Sequence, residues 1–435
     1  MDWSSQQHDA LAKIKNWLQG SSARQIFRLF GHAGTGKTTL ASAIAEMCGD
    51  DKVVFASFTG KATLVLSRRV GRPATTLHRM LYYTPHETLS PRAAALKERA
   101  AKLKDALSTA DSKDHVHLTS EITKIITELG RLRKRAGTNL SFALRAPEDC
   151  QLYDADLLIV DEISMVERRL GEDLLSFGVP VLVLGDPAQL PPIKDTGFFT
   201  GVEPDVMLTE IHRQAKGDPI IALASVYRSG EIPCRMTRGG VSVVGAREIS
   251  NEALLAADVI ICGRHVTRQM LNKRVRRLLR DIGQLPAAEH PAHDNLPVVG
   301  DRVICRRNCY DRWLFNGSLW QIVDVEFAVS RGIDMAHLVL KSIDDEEAPR
   351  EVAANVPVAY FLENERLLDD DVLRALRPDE FRFGYSITCH SAQGSQWQSV
   401  VVFDEGSVFG NNAARWRYTA VTRAISRLTI GVYYR

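Results

Sequence analysis

Gly31-His32-Ala33-Gly34-Thr35-Gly36-Lys37-Thr38 decides how this chain is read. It fits the pattern G-x-x-x-x-G-K-[ST], in which glycines let the backbone curl until successive N–H groups face phosphate oxygens. The flanks agree. The apolar run Gln25 to Phe30 (QIFRLF) reads as a buried strand, and Thr39 to Met47 (TLASAIAEM) as the helix whose positive end stands behind the phosphates. In such a loop Lys37 reaches the β- and γ-phosphates and the Thr38 hydroxyl completes an Mg²⁺ shell, with Gly34, Thr35, Gly36 and Thr39 forming the cradle. ATP with Mg²⁺ is the expected ligand pair.

Before the loop, residues 1–24 carry a short amphipathic helix, with Leu11, Ile14, Trp17 and Leu18 on one face. Gln7 stands ahead of it, and its amide both donates and accepts, as reading an adenine edge requires. After the loop, Lys52 to Phe58 (KVVFASF) reads as a second core strand that delivers Thr59, Gly60 and Lys61 to the rim where open α/β sheets bind ligands. Thr76, His78 and Arg79 follow with more hydroxyls and cations, which suit phosphate contacts and solvated helices alike. The hydrophobic strand Asp156 to Val160 ends in Asp161-Glu162, the carboxylate pair that completes an ATPase site. There Asp161 holds Mg²⁺ and Glu162 polarises the attacking water. Another strand, Val179 to Leu184, precedes Gly185-Asp186-Pro187-Ala188-Gln189, which places Gln189 where a γ-phosphate is sensed.

Residues 85–150 interrupt this rhythm. Leu96, Ala100, Leu103 and Leu107, then Leu118, Ile122, Ile125, Leu129 and Leu132, are spaced as two helices that pack as an antiparallel hairpin. Between Arg92 and Arg135 there are eleven Lys and Arg against six Asp and Glu, so a basic surface is local while the whole chain carries only +2. Beyond residue 201, Ala257 to Cys262 reads as a strand and His265 to Leu279 as a basic helix. Residues 282–297 are a proline-rich connection, and short alternating stretches over 301–343, punctuated by Asn316-Gly317, carry a small β-barrel signature.

The totals bound the class. A chain of 435 residues exceeds one core. Its 45% hydrophobic and 25% charged residues are ordinary for a soluble globular protein. No run of about 18 apolar residues exists to span a membrane, and the N-terminus lacks a basic-then-apolar leader, so a cytoplasmic location is expected. Seven scattered cysteines fit a reducing interior, and Cys305 and Cys309 read as strand residues rather than zinc ligands.

Taken in order, the strings GHAGTGKTT, TGKA, TLHRML, DEISMV, GDPAQLPP, HRQ (212–214), HSAQGSQW (390–397) and YTAVTRA (418–424) resemble superfamily 1 DNA helicases of the 5′-to-3′ branch, the RecD/Dda-like group. The resemblance spans nearly the whole chain. It implies an α/β fold of two RecA-like motor domains that hydrolyse ATP between them. The first is expected from 1–84 and 151–200, with 85–150 as an inserted helical hairpin or pin. The second is expected from 201–285 and 381–435, with 286–380 as an SH3-like β-barrel insertion. It further implies that Gln7 reads adenine, that Lys37, Glu162, Gln189, Arg213 and Arg423 act on the phosphate, and that Gln393 and Gly394 couple ATP to the strand. Single-stranded DNA would lie against Thr59, Gly60, Lys61, Thr76, His78, Arg79, Arg264, Thr267, Asn272, Thr388 and His390, with Phe142 as the wedge at the duplex.

Two departures fall on the DNA side: Phe58 stands where the family has Pro, and Ser391 where it has Lys. The implied partners are single-stranded and forked duplex DNA, together with single-strand-binding or replication proteins, and the implied state is a monomer. The alternatives are a single-strand translocase or RNA-directed ATPase that does not unwind, and a nucleotide-switched recruitment module. A switch of that kind has no use for Glu162, Arg213 and Arg423 together.

Overall fold

In the computed structural model, the described residues are 3–20, 24–49, 52–83, 144–192, 197–211, 217–287, 294–343, 345, 347–368, 372–373 and 376–433, with isolated positions between 99 and 125. Helix α1 (Ser5–Gln19) starts at a capping box, in which the Ser4 and Gln7 side chains each serve the other's backbone. It is followed by β1 (Ile26–Gly31), α2 (Lys37–Cys48), β2 (Val53–Ser57), α3 (Gly60–Val70), β3 (Ala74–Thr76), α4 (Leu77–Leu81), β4 (Leu157–Asp161), β5 (Val181–Gly185) and β6 (Val206–Leu208). These strands form a parallel six-stranded sheet in the order β3-β2-β4-β5-β1-β6. Strands buried on both faces need apolar residues at every position, which is why LLIV and VLVL read as unbroken runs. Along β4 and β5, Leu158, Val160, Val181 and Val183 enter one core. Leu157, Ile159, Leu182 and Leu184 enter the other.

The chain then builds α5 (Pro219–Arg228), β7 (Met236–Arg238), β8 (Val241–Gly245), β9 (Val259–Cys262) and α6 (His265–Asp281). A small antiparallel sheet follows: β10 (Arg302–Cys305), β11 (Leu319–Ser330), β12 (Ile333–Ser342), β13 (Val352–Pro357) and β14 (Phe381–Phe383), in the order β13-β12-β11-β10-β14. Last come β15 (Ser386–Thr388), β16 (Trp397–Phe403), α7 (Ala413–Val421) and β17 (Ala424–Val432). The second α/β sheet has the order β15-β9-β16-β17-β8-β7 and is parallel except for the edge strand β7. One of its cores is shared with the small sheet, since Ile260, Val401 and Phe403 lie in one cluster with Val303, Trp320, Leu338 and Phe381.

Two expected boundaries move. The first sheet does not stop at residue 200. Val206, Met207 and Leu208 pair with Leu29, Phe30 and Gly31, and the Asp205 carboxylate accepts from the Arg28 backbone N–H at 2.7 Å. Nor does the second α/β sheet resume at 381: Phe381–Phe383 pairs with β10 and closes the small sheet's edge. In the stretch 85–150, Arg99, Leu103, Leu118, Glu121, Lys124 and Ile125 are helical, and Arg99 pairs with Glu121 at 3.3 Å. Phe142 and Arg213 lie outside the described residues. All seven cysteines are free, and among the described residues no helix is long and apolar enough to cross a membrane.

A candidate active site between the two parallel sheets

The phosphate loop turns between β1 and α2 where two contacts demand glycine. A Cβ on Gly31 would stand 2.5 Å from Thr35 Oγ1, and Gly36 caps α2 in the left-handed region at φ 79°. No side chain caps α2, so its first-turn amides point at whatever the loop encloses. The Lys37 ammonium donates to the Gly31 and His32 carbonyls at 2.6 and 3.1 Å. Gln7 is buried, its amide nitrogen donating to the Thr35 carbonyl at 3.2 Å and its oxygen accepting from Ser4 N–H. The Gln7 side chain therefore braces the loop itself.

Thr38 Oγ1 lies 3.3 Å from Asp161 Oδ2. A hydroxyl and a carboxylate that converge this closely are hard oxygen donors of the kind Mg²⁺ takes, with water and phosphate oxygens filling the other positions. Glu162 sits in the left-handed region at φ 55°, a strained conformation for a residue with a side chain, and its N–H donates to Asp161 Oδ1 at 2.8 Å. Burial pushes the Glu162 carboxyl up, the Arg423 guanidinium draws it back, and Asp161 adds to the rise. Gln189 is buried, and its Oε1 finds no hydrogen-bond partner among the described residues.

The second sheet supplies the opposite wall. Arg423, immediately before β17, is held by the Thr419 carbonyl, the Ser395 carbonyl and Thr422 Oγ1. The Gln393 amide nitrogen reaches across to the Leu190 carbonyl at 2.8 Å, while its Oε1 is also without a partner among the described residues. Gly394, at φ 75°, approaches the first half so closely that a Cβ there would meet Ala62 Cβ at 2.8 Å. The cleft between these walls measures about 1540 Å³ and is lined by Thr38, Asp161, Glu162, Gln189 and Arg423, with Trp3, Met47 and Ile221 also on its walls.

Two residues that sequence reasoning passed over complete this wall. Tyr418 OH accepts from the Ala33 N–H at 2.9 Å and donates to the Asp186 carboxylate. Asp186 also accepts from Ala188 N–H at 3.0 Å and faces His32 Nδ1 at 3.4 Å. Burial opposes its ionisation, but His32, Lys37 and Tyr418 together hold its carboxyl below the usual range. Both residues sit inside the quoted strings GDPAQ and YTAVTRA, yet nothing in either string tells that the two meet.

The residues expected along the DNA side divide into three groups. Thr59 and Thr76 cap α3 and α4, accepting from the Ala62 and Arg79 N–H groups. Thr76 is further hydrogen-bonded to Tyr310 OH at 2.7 Å, and the Arg79 guanidinium stacks 4.3 Å over the Tyr310 ring. Gly60 and Lys61 are buried, with a Cβ on Gly60 meeting Asn308 Oδ1 at 2.5 Å. The β10–β11 loop, with Asn308 and Tyr310, thus covers the rim that the sequence assigned to DNA. The same side is joined by Arg68 to Asp345 and Glu347, and by Trp313 Nε1 donating to Asp345 at 2.9 Å.

A second group is internal. Asn272 was expected beside the strand. Instead its oxygen accepts from the Tyr385 and Ser386 N–H groups at 3.1 and 2.9 Å, and its nitrogen donates to the Ser386 carbonyl at 3.1 Å. Thr267 is buried and donates to Glu405 at 2.7 Å. Both point inward because they share α6's apolar face with Leu271 and Val275. Thr388 is buried against Ser391 Oγ at 2.9 Å.

The third group remains near the surface. Arg264 keeps a side chain 60% exposed while pairing with Glu405. His390 packs 5.6 Å from Phe409, and burial, with His265, lowers its pKa. His78 lies between Phe58 and Tyr82, and burial lowers its pKa, so at neutral pH it offers a neutral ring rather than a cation.

Comparison with known proteins agrees with this arrangement. Residues 3–241 match the family described as AAA domain, and residues 383–430 match the UvrD-like helicase C-terminal domain. The chain is 26% identical to the ATP-dependent RecD2 DNA helicase of Deinococcus radiodurans, over 94% of this chain and 47% of that protein. It therefore spans about half the length of that curated relative. Among solved structures, the Pif1 helicase of Candida albicans shares the fold at a TM-score of 0.50 and 20% identity, covering 100% of this chain and 95% of that one. Bacteroides Pif1 bound to single-stranded DNA does so at 0.50 and 15%, covering 100% and 93%. Two RecA-like sheets facing each other across a phosphate loop are the architecture of a P-loop nucleotide-binding protein. The chain belongs to the AAA domain family, and its C-terminal part matches the UvrD-like helicase C-terminal domain.

Proposed function

We propose that this chain is an ATP-dependent DNA helicase that translocates 5′-to-3′ on single-stranded DNA and unwinds duplex. The observation that carries the reading is the position of Arg423: the second sheet delivers its guanidinium into the cleft that Glu162 lines from the first. Such a charge stabilises the transferring phosphate only when the two halves close, so hydrolysis is tied to domain motion.

In this reading Lys37 leaves the loop carbonyls for phosphate oxygens, and Gln7 reads adenine once the nucleotide draws its amide from Thr35. Thr38 and Asp161 hold Mg²⁺, which when bound neutralises charge on the β- and γ-phosphates. Glu162 takes the proton from the attacking water as the new P–O bond forms and the bond to ADP breaks. The unpartnered Oε1 of Gln189 is an acceptor suited to orienting that water. Arg213 joins Arg423 on the phosphate, and Gln393 and Gly394 relay its state to Thr388 and His390.

We assign the first RecA-like motor to the β1–β6 sheet and the second to the β7–β9 and β15–β17 sheet. The five-stranded antiparallel sheet is the SH3-like insertion, and residues 85–150 are the inserted helical hairpin or pin region, with Phe142 as the wedge. Strand contacts fall to the exposed Arg79 and Arg264 and to His390.

The test is ATP hydrolysis with and without single-stranded DNA, followed by displacement on forks bearing one 5′ or one 3′ tail. Stimulated hydrolysis with displacement from the 5′ tail alone is expected. Hydrolysis indifferent to nucleic acid overturns the reading, and stimulation without displacement reduces it to a translocase.

A further inference from the structure

Three bonds tie the 186–190 loop to the second half. At one end Tyr418 OH donates to Asp186. At the other, Leu190 N–H donates to Thr419 Oγ1 at 2.9 Å, and Gln393 donates to the Leu190 carbonyl at 2.8 Å. Gln189 lies between these anchors. The Tyr418 hydroxyl also holds the Ala33 N–H, at 2.9 Å, and so touches the phosphate loop and the Gln189 loop at once. A phenol has one proton and two lone pairs, and here the proton is committed to Asp186 and a lone pair to Ala33.

We propose that Tyr418 is a positioning residue of the ATPase. It holds the phosphate loop and the 186–190 loop in register with each other only while the second half is seated. The inference rests on the helicase reading above for the identity of the reaction, though not for the coupling itself. Tyr418 is 2% exposed and sits on α7, which packs against α5 and leads into Arg423. Movement of the second half that carries α7 away draws one hydroxyl from two loops of the first half. Burial and the neighbouring Asp186 carboxylate push the phenol's pKa up, so it stays protonated and the direction of the donated bond is fixed. The ring edge also packs against His32, with centroids 6.4 Å apart, a contact that phenylalanine would keep.

The test compares wild type with Tyr418→Phe, Asp186→Asn and the double variant. Single-turnover ATP hydrolysis, affinity for a fluorescent ATP analogue and melting midpoint are read for each. Tyr418→Phe is expected to slow hydrolysis at least about tenfold while nucleotide affinity changes less than about threefold, since a loop displaced by a fraction of an ångström loses rate before binding. Asp186→Asn is expected to do the same, and the double variant to lose little more than either single one.

An unchanged single-turnover rate in Tyr418→Phe overturns the proposal. So does a rate loss accompanied by an equal loss of nucleotide affinity, which marks a merely structural role. Should Tyr418→Phe fail to fold, Asp186→Asn is read by the same criteria. A wild type whose hydrolysis ignores DNA overturns the helicase reading instead, and the Tyr418 comparison is then made on strand-free turnover.

Discussion

Replacing Asn272 with alanine separates a structural role from a strand-contacting one. The side chain is 3% exposed and makes three hydrogen bonds to the backbone at residues 385 and 386, at 2.9 to 3.1 Å. These bonds tie α6 to the entrance of edge strand β15, which carries Thr388. Three bonds at about 1 kcal/mol each give about 3 kcal/mol, and the two buried N–H groups left without acceptors raise this toward 5 kcal/mol. At about 2–4 °C per kcal/mol for a unit of this size, Asn272→Ala lowers the melting midpoint by at least roughly 6 °C. Differential scanning calorimetry reads the midpoint, and fluorescence anisotropy of a labelled oligothymidine at low temperature reads strand affinity on folded protein. The expected result is a large drop in midpoint with affinity within about twofold of wild type. A midpoint within about 2 °C of wild type, together with a tenfold weaker strand complex, would refute the structural account and return Asn272 to the DNA side.

Glu162→Gln keeps the side chain's size and removes the base, so turnover should fall by roughly 10²–10⁴ while ATP still binds. Unaltered turnover in that variant would show that the proton goes elsewhere. Because burial raises the Glu162 carboxyl, the acid limb of the turnover–pH profile should lie above the ordinary glutamate value of about 4.3. Arg423→Gln should move that limb higher still, since the guanidinium pulls it down. The same group makes the native state bind more protons than the unfolded one. Its contribution to stability should therefore fall as pH rises from the ordinary glutamate value through the raised one, which calorimetry of Glu162→Gln against wild type checks. Arg276 and Asp301 form a buried bidentate pair at 2.9 Å, so Arg276→Met should cost about 3–5 kcal/mol, visible as a lower denaturation midpoint.

Most of what could be read in advance is local. The strand, loop and helix around Lys37 follow one another within a few dozen residues, and each obeys a rule of short range: unbroken apolar runs, glycine at positive φ, an apolar stripe every three or four residues. The Asp161-Glu162 pair was legible because the run before it is buried on both faces. What escaped depends on long separations. Tyr418 meets Asp186 across 232 residues, and no spacing in either string announces it. Asn272 and Thr267 looked like the solvent face of a basic helix, but helical rotation puts them among Leu271 and Val275, where only internal partners satisfy them. The expected boundary at residue 201 missed β6 because three residues at a sheet edge carry no periodicity of their own.

The two joints of the small sheet are made of different materials. Toward the second half it is welded by the buried Arg276–Asp301 pair, to which Tyr385 OH donates at 3.0 Å, and by a hydrophobic core common to both sheets. Toward the first half it is held by polar and aromatic contacts: Tyr310 on Thr76 and Arg79, and Arg68 on Asp345 and Glu347. The Arg68–Glu347 pair weakens with salt, while the buried weld does not. In the proposed cycle, in which the halves turn against each other, the sheet travels with the second as a lever arm, its tip sliding across α3 and α4. The friction at that tip, set by a few side chains far from the nucleotide, would then enter the work of that cycle.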